Sequence, residues 1–169
     1  MVWCTYFRFR GRSWANSTEA GNRTALEGLA DRNPAPGLTA YRDDRAVGWV
    51  SLGPREAYER LSYSKILAPV DDKPVWSIVC FVVARRSRGQ GVAALLLDAA
   101  IDYARAHAAT TLEAYPVDTS AGRVRSANAY TGTLRMFERA GFTVVERRQW
   151  NTTTLIRPIV RLTLLSPSE

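Results

Sequence analysis

The chain has 169 residues, of which 46% are hydrophobic and 23% charged, and these ordinary proportions exclude collagen-like, low-complexity and disordered proteins. The length favours a single domain over residues 1–169, with a core large enough to fold without a disulfide or a metal. The longest nearly apolar run, residues 75–84, is too short to span a bilayer, and the N-terminus lacks the apolar segment of a signal peptide. We therefore expect a cytoplasmic protein with no membrane partner.

The excess of basic residues leaves two kinds of partner open. Lysine and arginine number 23 against 16 aspartates and glutamates, a net charge of +7, and all the basic residues except Lys65 and Lys73 are arginines. The many arginines and alanines are typical of a GC-rich bacterial genome. Because the charge is spread over the chain, nucleic-acid binding is the weaker alternative. The one cluster, Arg85, Arg86 and Arg88, suits a small ligand that carries several phosphates equally well.

The rare residues disfavour metal and protease chemistry. Cys4 and Cys80 are the only cysteines, and His107 is the only histidine. A zinc site needs about four ligands, so we expect no metal centre, and any Ser-His-Asp or Cys-His catalysis would depend on His107. Two cysteines with no framework spacing suggest reduced thiols. We expect Cys80 to be a buried small hydrophobe and His107 to pack against or cap a helix.

In the first half of the chain, aromatic and β-branched runs, capping residues and turns define the elements. They predict a strand over 2–9, a helix over 19–29 capped by Ser17 or Thr18, a hairpin of strands 38–42 and 46–52 turning at Asp43 and Asp44, and a short helix over 56–62.

In the second half, the run at 75–84 is apolar on both faces and predicts a central strand. A helix over 92–107, a short strand over 111–115, a long loop over 116–129, a helix over 131–140 ended by Gly141 and strands over 143–148 and 156–165 follow. The order βαββ(α)βαβαββ predicts a mixed α/β (α+β) domain with a largely antiparallel sheet.

The segment between the central strand and the long helix carries the chemical signal. A strand, a glycine-containing loop and a helix start together favour an anion site, because glycines let backbone N–H groups converge where the helix adds partial positive charge. Neither a G-x-G-x-x-G fingerprint nor a phosphate loop with its lysine is present. A plain basic turn before a core helix is the alternative.

Two sequence motifs identify a family. The sequence CFVVARRSRGQGVAALLLDAA resembles the acetyl-CoA-binding motif of the GNAT N-acetyltransferase superfamily, Arg/Gln-x-x-Gly-x-Gly/Ala after a central strand. The preferred register runs from Arg88 to Ala93, and a second register, from Arg86 to Gly91, also fits. The sequence TGTLRMFERAGFTVVERR is similar to the second family signature, a helix that ends in Gly-Phe and is followed by a strand. The element order matches over about residues 1–165.

The resemblance implies a fold and a cosubstrate. It implies a V-shaped gap between the strands at 75–84 and 111–115, with acetyl-CoA bound there and no metal. Arg85 and Arg86 either reach the adenosine 3′-phosphate or are solvated. The pantetheine amides are expected on the backbone of Phe81, Val82 and Val83, and the pyrophosphate on the N–H groups of Arg88, Gly89, Gln90, Gly91, Val92 and Ala93.

Family members catalyse direct attack of an amine on the acetyl thioester in a ternary complex. An alkyl amine has a pKa of about 10.4 and is therefore mostly protonated at neutral pH. A base or a water relay must take its proton before it can attack. Glu113, on the strand that lines the gap, is the candidate base, with a solvated strand residue as the alternative. Asp118 in the adjoining loop is the weaker candidate.

The residue expected to protonate the leaving thiolate differs from the family pattern. Many relatives carry a tyrosine four residues before the helix-ending glycine, and this chain has Phe137 there. Tyr130 is the candidate replacement, unless it contacts pantetheine or only packs; Tyr115 or water are the other choices.

Two further regions are candidates for the acceptor site. The loop 116–129, with Ser120, Gly122, Arg123, Arg125 and Ser126, is longer than the family usually has, and loops of this length are often lids. The aromatic residues of the N-terminal half form either an acceptor wall or ordinary core. They are Trp3, Tyr6, Phe7, Trp14 and Trp49.

The sequence therefore predicts an acetyl-CoA-dependent N-acetyltransferase that acts on an amine of a small molecule or a protein. A non-catalytic CoA-sensing or interaction module of the same fold is the first alternative, because Phe137 replaces the tyrosine. A basic nucleic-acid-binding protein is the second. The acceptor is not identified by the sequence, and a homodimer stays open.

Overall fold

A computed structural model describes residues 4–120, 122, 124, 129–149 and 156–164. Six strands form one sheet in the order β1-β2-β3-β4-β6-β5, in which β3 and β4 are parallel and the other neighbours antiparallel. The strands are β1 Gly37–Arg42, β2 Arg45–Pro54, β3 Trp76–Val83, β4 Thr111–Ala114, β5 Thr143–Gln149 and β6 Ile156–Thr163. The helices are α1 Arg12–Ala15, α2 Glu19–Ala30, α3 Glu59–Tyr63, α4 Val92–Ala106 and α5 Leu134–Arg139.

This architecture confirms the predicted fold class and most of the predicted elements. Thr18 caps α2 by accepting a hydrogen bond from the Gly21 N–H at 3.0 Å. The hairpin turns at Asp43 and Asp44, whose φ angles of 48° and 60° are those of a tight two-residue hairpin turn. The apolar strand β3 lies between β2 and β4, as its two buried faces predicted.

The strand predicted over 2–9 is wrong within the described residues 4–9, where the chain turns instead. The N–H groups of Arg8 and Phe9 both donate to the Thr5 carbonyl, at 2.9 and 3.2 Å. The carbonyls of Tyr6 and Phe9 accept hydrogen bonds from the Arg60 guanidinium, at 2.7 and 3.0 Å. A side chain from α3 therefore satisfies backbone groups that a neighbouring strand would otherwise pair.

The two faces of the sheet pack separate apolar clusters. On one face, α4 and α5 bury Leu96, Leu97 and Phe137 against β2, β3 and β4. On the other face, Tyr58 and Tyr115 pack with residues that include Phe7, Leu61, Val79, Cys80 and Ile159.

The long helix α4 lies close to β2 because the facing position is a glycine. A Cβ added to Gly48 would lie 2.8 Å from Val92 Cγ1 and 2.9 Å from Leu96 Cδ1. The missing side chain thus sets the height of the helix above the sheet, and with it the position of the loop that precedes the helix.

Phe137 lies inside the first cluster. It is fully buried and meets Phe81 and Phe142 edge to face, with ring centroids 6.1 and 5.0 Å apart. Its ring also approaches Gly132, where an added Cβ would lie 2.8 Å from Cε2. The position that carries a tyrosine in many relatives is therefore a packing position in this chain.

We expect Phe137→Tyr to lower the free energy of unfolding by about 1–3 kcal/mol, because the added hydroxyl is buried without a partner. Urea unfolding measures the change. Phe9→Tyr, which adds the same hydroxyl at a half-buried position, is the control and should unfold like the parent. An unchanged stability of the Phe137 variant would show that its hydroxyl reaches a polar partner.

Candidate functional site

The two central strands pair over three residues and then part. Trp76, Ser77 and Ile78 of β3 lie opposite residues 112–114 of β4. Beyond that point β3 continues to Val83 beside β2 alone, with a register shift between Ser51 and Leu52 of β2. The parallel strands thus open into a V-shaped gap, as the family resemblance implies.

The chain from 130 to 134 crosses this gap beyond the last paired residues of β3 and β4. The Phe81 N–H donates to the Tyr130 carbonyl at 2.6 Å. On the other side, the Val117 N–H donates to the Gly132 carbonyl at 2.9 Å, and the Leu134 N–H donates to the Val117 carbonyl at 2.9 Å. These bonds explain why α5 begins at Leu134 and not at residue 131. They also occupy one of the backbone groups expected to pair with pantetheine, the N–H of Phe81.

The loop after β3 presents backbone N–H groups at the start of α4. Gly91 precedes the helix with φ at +80°, a left-handed conformation that favours glycine, and Gly89 has φ at +73°. No side chain caps the helix, and its first turn holds no acidic residue. The first N–H groups of a helix have no acceptor within the helix, so this end of α4 suits an anion.

A cavity of about 990 Å³, here called the loop cavity, extends from this helix start along β3. Eight of the nine residues expected to bind the cofactor border it: Phe81, Val82, Val83, Arg88, Gly89, Gly91, Val92 and Ala93. Gln90 does not border the cavity, since its side chain donates to the Arg86 carbonyl at 2.8 Å and accepts from Arg42. The side chains of Arg85 and Arg86 are exposed and do not border it either.

A second cavity of about 860 Å³ lies beside the loop cavity, and Tyr6 and Tyr130 border both. We call it the arginine cavity, because four arginines and one lysine from separate parts of the chain border it. They are Arg60, Lys65, Arg148, Arg157 and Arg10. Of the aromatic residues expected at an acceptor site, Tyr6 and Phe7 border this cavity and Trp14 borders the loop cavity. Trp49 borders neither, and Trp3 lies outside the described residues.

Tyr130 lies where the two cavities meet. Burial raises the pKa of Tyr130 to about 12. Its hydroxyl therefore carries its proton at neutral pH and is able to donate it.

Glu113 lies away from both cavities, in a buried ionic cluster at the closed end of the gap. Its side chain is fully buried, Oε1 accepts from the Tyr115 hydroxyl at 2.8 Å, and Oε2 accepts from Arg161 Nε at 2.8 Å. Arg55 Nη1 lies 3.9 Å from Oε1. Both carboxylate oxygens are engaged within the cluster, and Glu113 borders neither cavity. The geometry therefore does not favour Glu113 as a base.

Asp71 completes the cluster from the turn before β3. It accepts two hydrogen bonds from the other edge of the Arg161 guanidinium, at 2.7 and 2.9 Å. These bonds hold the pKa of Asp71 down to about 2. Burial, and then the Glu113 carboxylate, raise the pKa of Tyr115 well above its ordinary value, so this tyrosine stays a donor to Glu113. Tyr115 also lies 2.9 Å from Ser77 Oγ, inside the protein rather than in the gap.

The other candidate residues have structural partners. Asp118 accepts from Arg147 Nη1 at 3.0 Å and from the Ser120 N–H at 3.0 Å, and these bonds lower its pKa. His107 is confirmed as a packed residue at the end of α4, with Nδ1 2.8 Å from the Tyr103 carbonyl and Nε2 2.9 Å from Asn33 Oδ1.

Cys80 is buried, as expected, in the wall of the loop cavity beside Cys4. Contact with the Cys4 thiol, and then burial, raise the pKa of Cys80. Of the long loop 116–129, Arg123, Arg125 and Ser126 lie outside the described residues.

Sequence reasoning missed Arg148 and Arg157. Both are on strands that it predicted, but their convergence with Arg60 depends on tertiary contacts between segments far apart in the chain. Among the described residues, no His, Cys, Asp or Glu cluster of three or more is placed to hold a metal ion. In the same ranges no helix has the length and hydropathy needed to cross a membrane.

Comparison with known proteins agrees with this geometry. Residues 3–142 match the sequence profile of the acetyltransferase (GNAT) family, and the chain belongs to that family. No curated protein sequence matches the chain.

Solved structures share the fold at low sequence identity. A putative GNAT acetyltransferase from Desulfovibrio desulfuricans has a TM-score of 0.58 and 19% identity, covering 96% of this chain and 89% of its own. A ribosomal-protein-alanine N-acetyltransferase from Brucella melitensis has a TM-score of 0.55 and 22% identity, covering 88% and 80%. A NatC complex bound to Gag peptide and CoA has a TM-score of 0.55 and 15% identity, covering 84% and 79%.

We expect Glu113→Gln to lower the free energy of unfolding by about 3–5 kcal/mol, because it leaves the buried Arg55 and the half-buried Arg161 with less compensating charge. Urea unfolding measures the change. Glu146→Gln, on the exposed surface of β5, is the control and should change stability little. A folded Glu113 variant of parental stability would contradict the structural role.

Proposed function

We propose that the protein is an acetyl-CoA-dependent N-acetyltransferase that acetylates an amine by direct attack in a ternary complex. The observation that carries the proposal is the meeting of two cavities at Tyr6 and Tyr130. One cavity begins at the uncapped start of α4, and these two tyrosines border both that cavity and the arginine cavity. Two substrates bound in separate cavities would thus meet at one boundary.

The loop cavity fits the cosubstrate. The uncapped start of α4 and the side chain of Arg88 suit its pyrophosphate. The edge of β3 beyond Phe81, where β3 no longer pairs with β4, suits an extended chain that carries amides. When bound, acetyl-CoA supplies an activated acetyl thioester. The residues that we propose to hold it are Phe81, Val82, Val83, Arg88, Gly89, Gln90, Gly91, Val92 and Ala93, with Gln90 contributing only its backbone.

Tyr130 is the proposed proton donor at the boundary of the cavities. Burial raises the pKa of Tyr130 to about 12, so at neutral pH the phenol carries a proton with which it can hydrogen-bond to a departing thiolate. The Phe81 N–H, which donates to its carbonyl at 2.6 Å, fixes its backbone against β3. A donor in this position supports the departure of a thiolate.

The proton of the attacking amine needs an acceptor. None of the described residues that border the arginine cavity is a carboxylate. Glu113 as the base remains a prediction that its burial does not favour, and a water held by polar groups of the cavity is the acceptor that we propose.

The proposal extends to the setting of the protein. We infer one catalytic domain over 1–169, in the cytoplasm of a bacterium, with an amine of a small molecule or a protein as acceptor. Nucleic acid and membranes are not among the proposed partners, and a homodimer stays open.

We expect acetyl-CoA to raise the melting temperature of the parent protein, because a ligand that binds only the folded state stabilises it. Gly91→Glu should abolish this shift, since it places a strained, negatively charged side chain where the pyrophosphate binds. Differential scanning fluorimetry measures both. Gly28→Glu, at an exposed position of α2 where an added Cβ meets nothing within 4 Å, is the charge-matched control. A full shift in the Gly91 variant would refute the placement of the phosphates.

We expect Tyr130→Phe to lower turnover about 10- to 100-fold, at the low end of the acid–base range because a thiolate needs little assistance to leave. Release of free thiol from acetyl-CoA in the presence of a panel of amines measures it. Tyr41→Phe, at an exposed site on the edge strand β1, is the control. Unchanged turnover of the Tyr130 variant would leave water as the donor. Thermal stabilisation by acetyl-CoA with no thiol release from any amine would favour the CoA-sensing alternative.

A further inference from the structure

We propose that the acceptor is a small amine whose carbon skeleton also carries an anionic group, a carboxylate or a phosphate, held by the arginine cavity. This inference rests on the proposed acetyltransferase function and names the substrate class for the same site.

The charge of the arginine cavity is of one sign. Five basic side chains border it, and none of the described residues in its wall is acidic. An amine acceptor is itself cationic at neutral pH. A cavity with this wall repels an acceptor that carries positive charge alone, and an anionic group on the same molecule reverses the sign of that interaction.

The hydrogen-bond partners of Arg60 and Arg148 leave their positive charge in place. Arg60 donates to the carbonyls of Tyr6 and Phe9 at 2.7 and 3.0 Å, and Arg148 Nη1 donates to the Ala68 carbonyl at 2.7 Å. Carbonyls are neutral, so these bonds orient the guanidinium groups without cancelling their charge. Arg10 forms an ion pair with the Glu59 carboxylate at 3.9 Å on the surface.

Arg157 adds a buried guanidinium to the wall. It is 6% exposed, and its Nη1 donates to Thr131 Oγ1 at 3.0 Å, next to Tyr130 in the chain. Burial lowers its pKa. A cation held this far from water in the wall of the cavity gains stability from an anionic ligand.

Aromatic rings and the cavity size point to a small molecule. Tyr6, Phe7, Tyr63 and Tyr130 supply ring faces or edges to the wall. Arg60 and Arg10 stack on two of them, with the guanidinium carbons 3.9 and 3.3 Å from the ring centroids of Tyr6 and Tyr63. A volume of about 860 Å³ lies within the range of small-ligand sites. The rings would contact the carbon skeleton while the guanidinium groups hold the anion.

The first test compares matched acceptors by thiol release from acetyl-CoA. L-Phenylalanine is compared with 2-phenylethylamine, and glucosamine 6-phosphate with glucosamine, so that each pair differs in its anionic group. We expect the anionic member of at least one pair to have a kcat/KM at least about tenfold higher, the usual size of a charge-assisted contact. The pair that responds identifies carboxylate or phosphate. Equal or better use of both amines that lack the anionic group, or exclusive use of an acidic peptide, overturns the proposal.

The second test assigns the preference to the cavity. Arg148→Gln should raise KM for the anionic acceptor at least about tenfold, reduce its advantage over the matched amine, and leave KM for acetyl-CoA unchanged. Arg147→Gln is the control, because neighbouring side chains of a strand point to opposite faces and Arg147 pairs with Asp118 at 3.0 Å. An undiminished preference in the Arg148 variant overturns the proposal.

A binding measurement separates this inference from the function on which it rests. If acetyl-CoA stabilises the protein but no amine releases thiol, the proposed enzymatic function fails. Thermal shifts with the same four compounds then decide the inference. Stabilisation by an anionic compound that Arg148→Gln removes supports an anion-binding cavity, and no stabilisation by any of the four overturns it.

Discussion

The parting of β3 from β4 after three paired residues is the constraint on which the rest of the molecule depends. Parallel strands that stayed paired would leave no room for a ligand between them. Here the chain from 130 to 134 bonds to β3 through Phe81 and to the segment after β4 through Val117. This crossing closes the gap on one side and places Tyr130 at its edge, so the same backbone bonds that satisfy the parted strands also create the boundary between two cavities.

A cluster of charged side chains stabilises the closed end of the gap in addition to apolar packing. Glu113 and Arg161 face each other across β4 and β6, and Asp71 binds the far edge of the same guanidinium. A carboxylate without exposure would be costly without these partners. The cluster ties the turn before β3 to β4 and β6 at the point where the strands begin to part. The cluster explains why Glu113, which the sequence predicts to line the gap, is buried outside it.

The two cavities differ in the source of their positive charge. In the loop cavity, backbone N–H groups at the start of α4 supply it, which suits phosphates whatever the rest of the ligand is. In the arginine cavity, side chains from the N-terminal segment, α3, β5 and β6 supply it. The first arrangement lies within residues 3–142, which match the acetyltransferase (GNAT) family to which the chain belongs, whereas two arginines of the second, Arg148 and Arg157, lie outside that match. We therefore propose that specificity for the acceptor belongs to the second cavity.

The sequence by itself determined the features that depend on neighbouring residues. The hairpin at Asp43 and Asp44, the apolar strand β3 and the glycine loop before α4 all follow from local conformational preference and periodicity. Only the tertiary structure decided that residues 4–9 turn, that Phe137 is buried and that Glu113 leaves the gap. Arg161 binds Glu113 from 48 residues away and Asp71 from 90 residues away. No local pattern specifies such partners, because the sequence around a charged strand residue is the same whether that residue contacts water or a distant guanidinium.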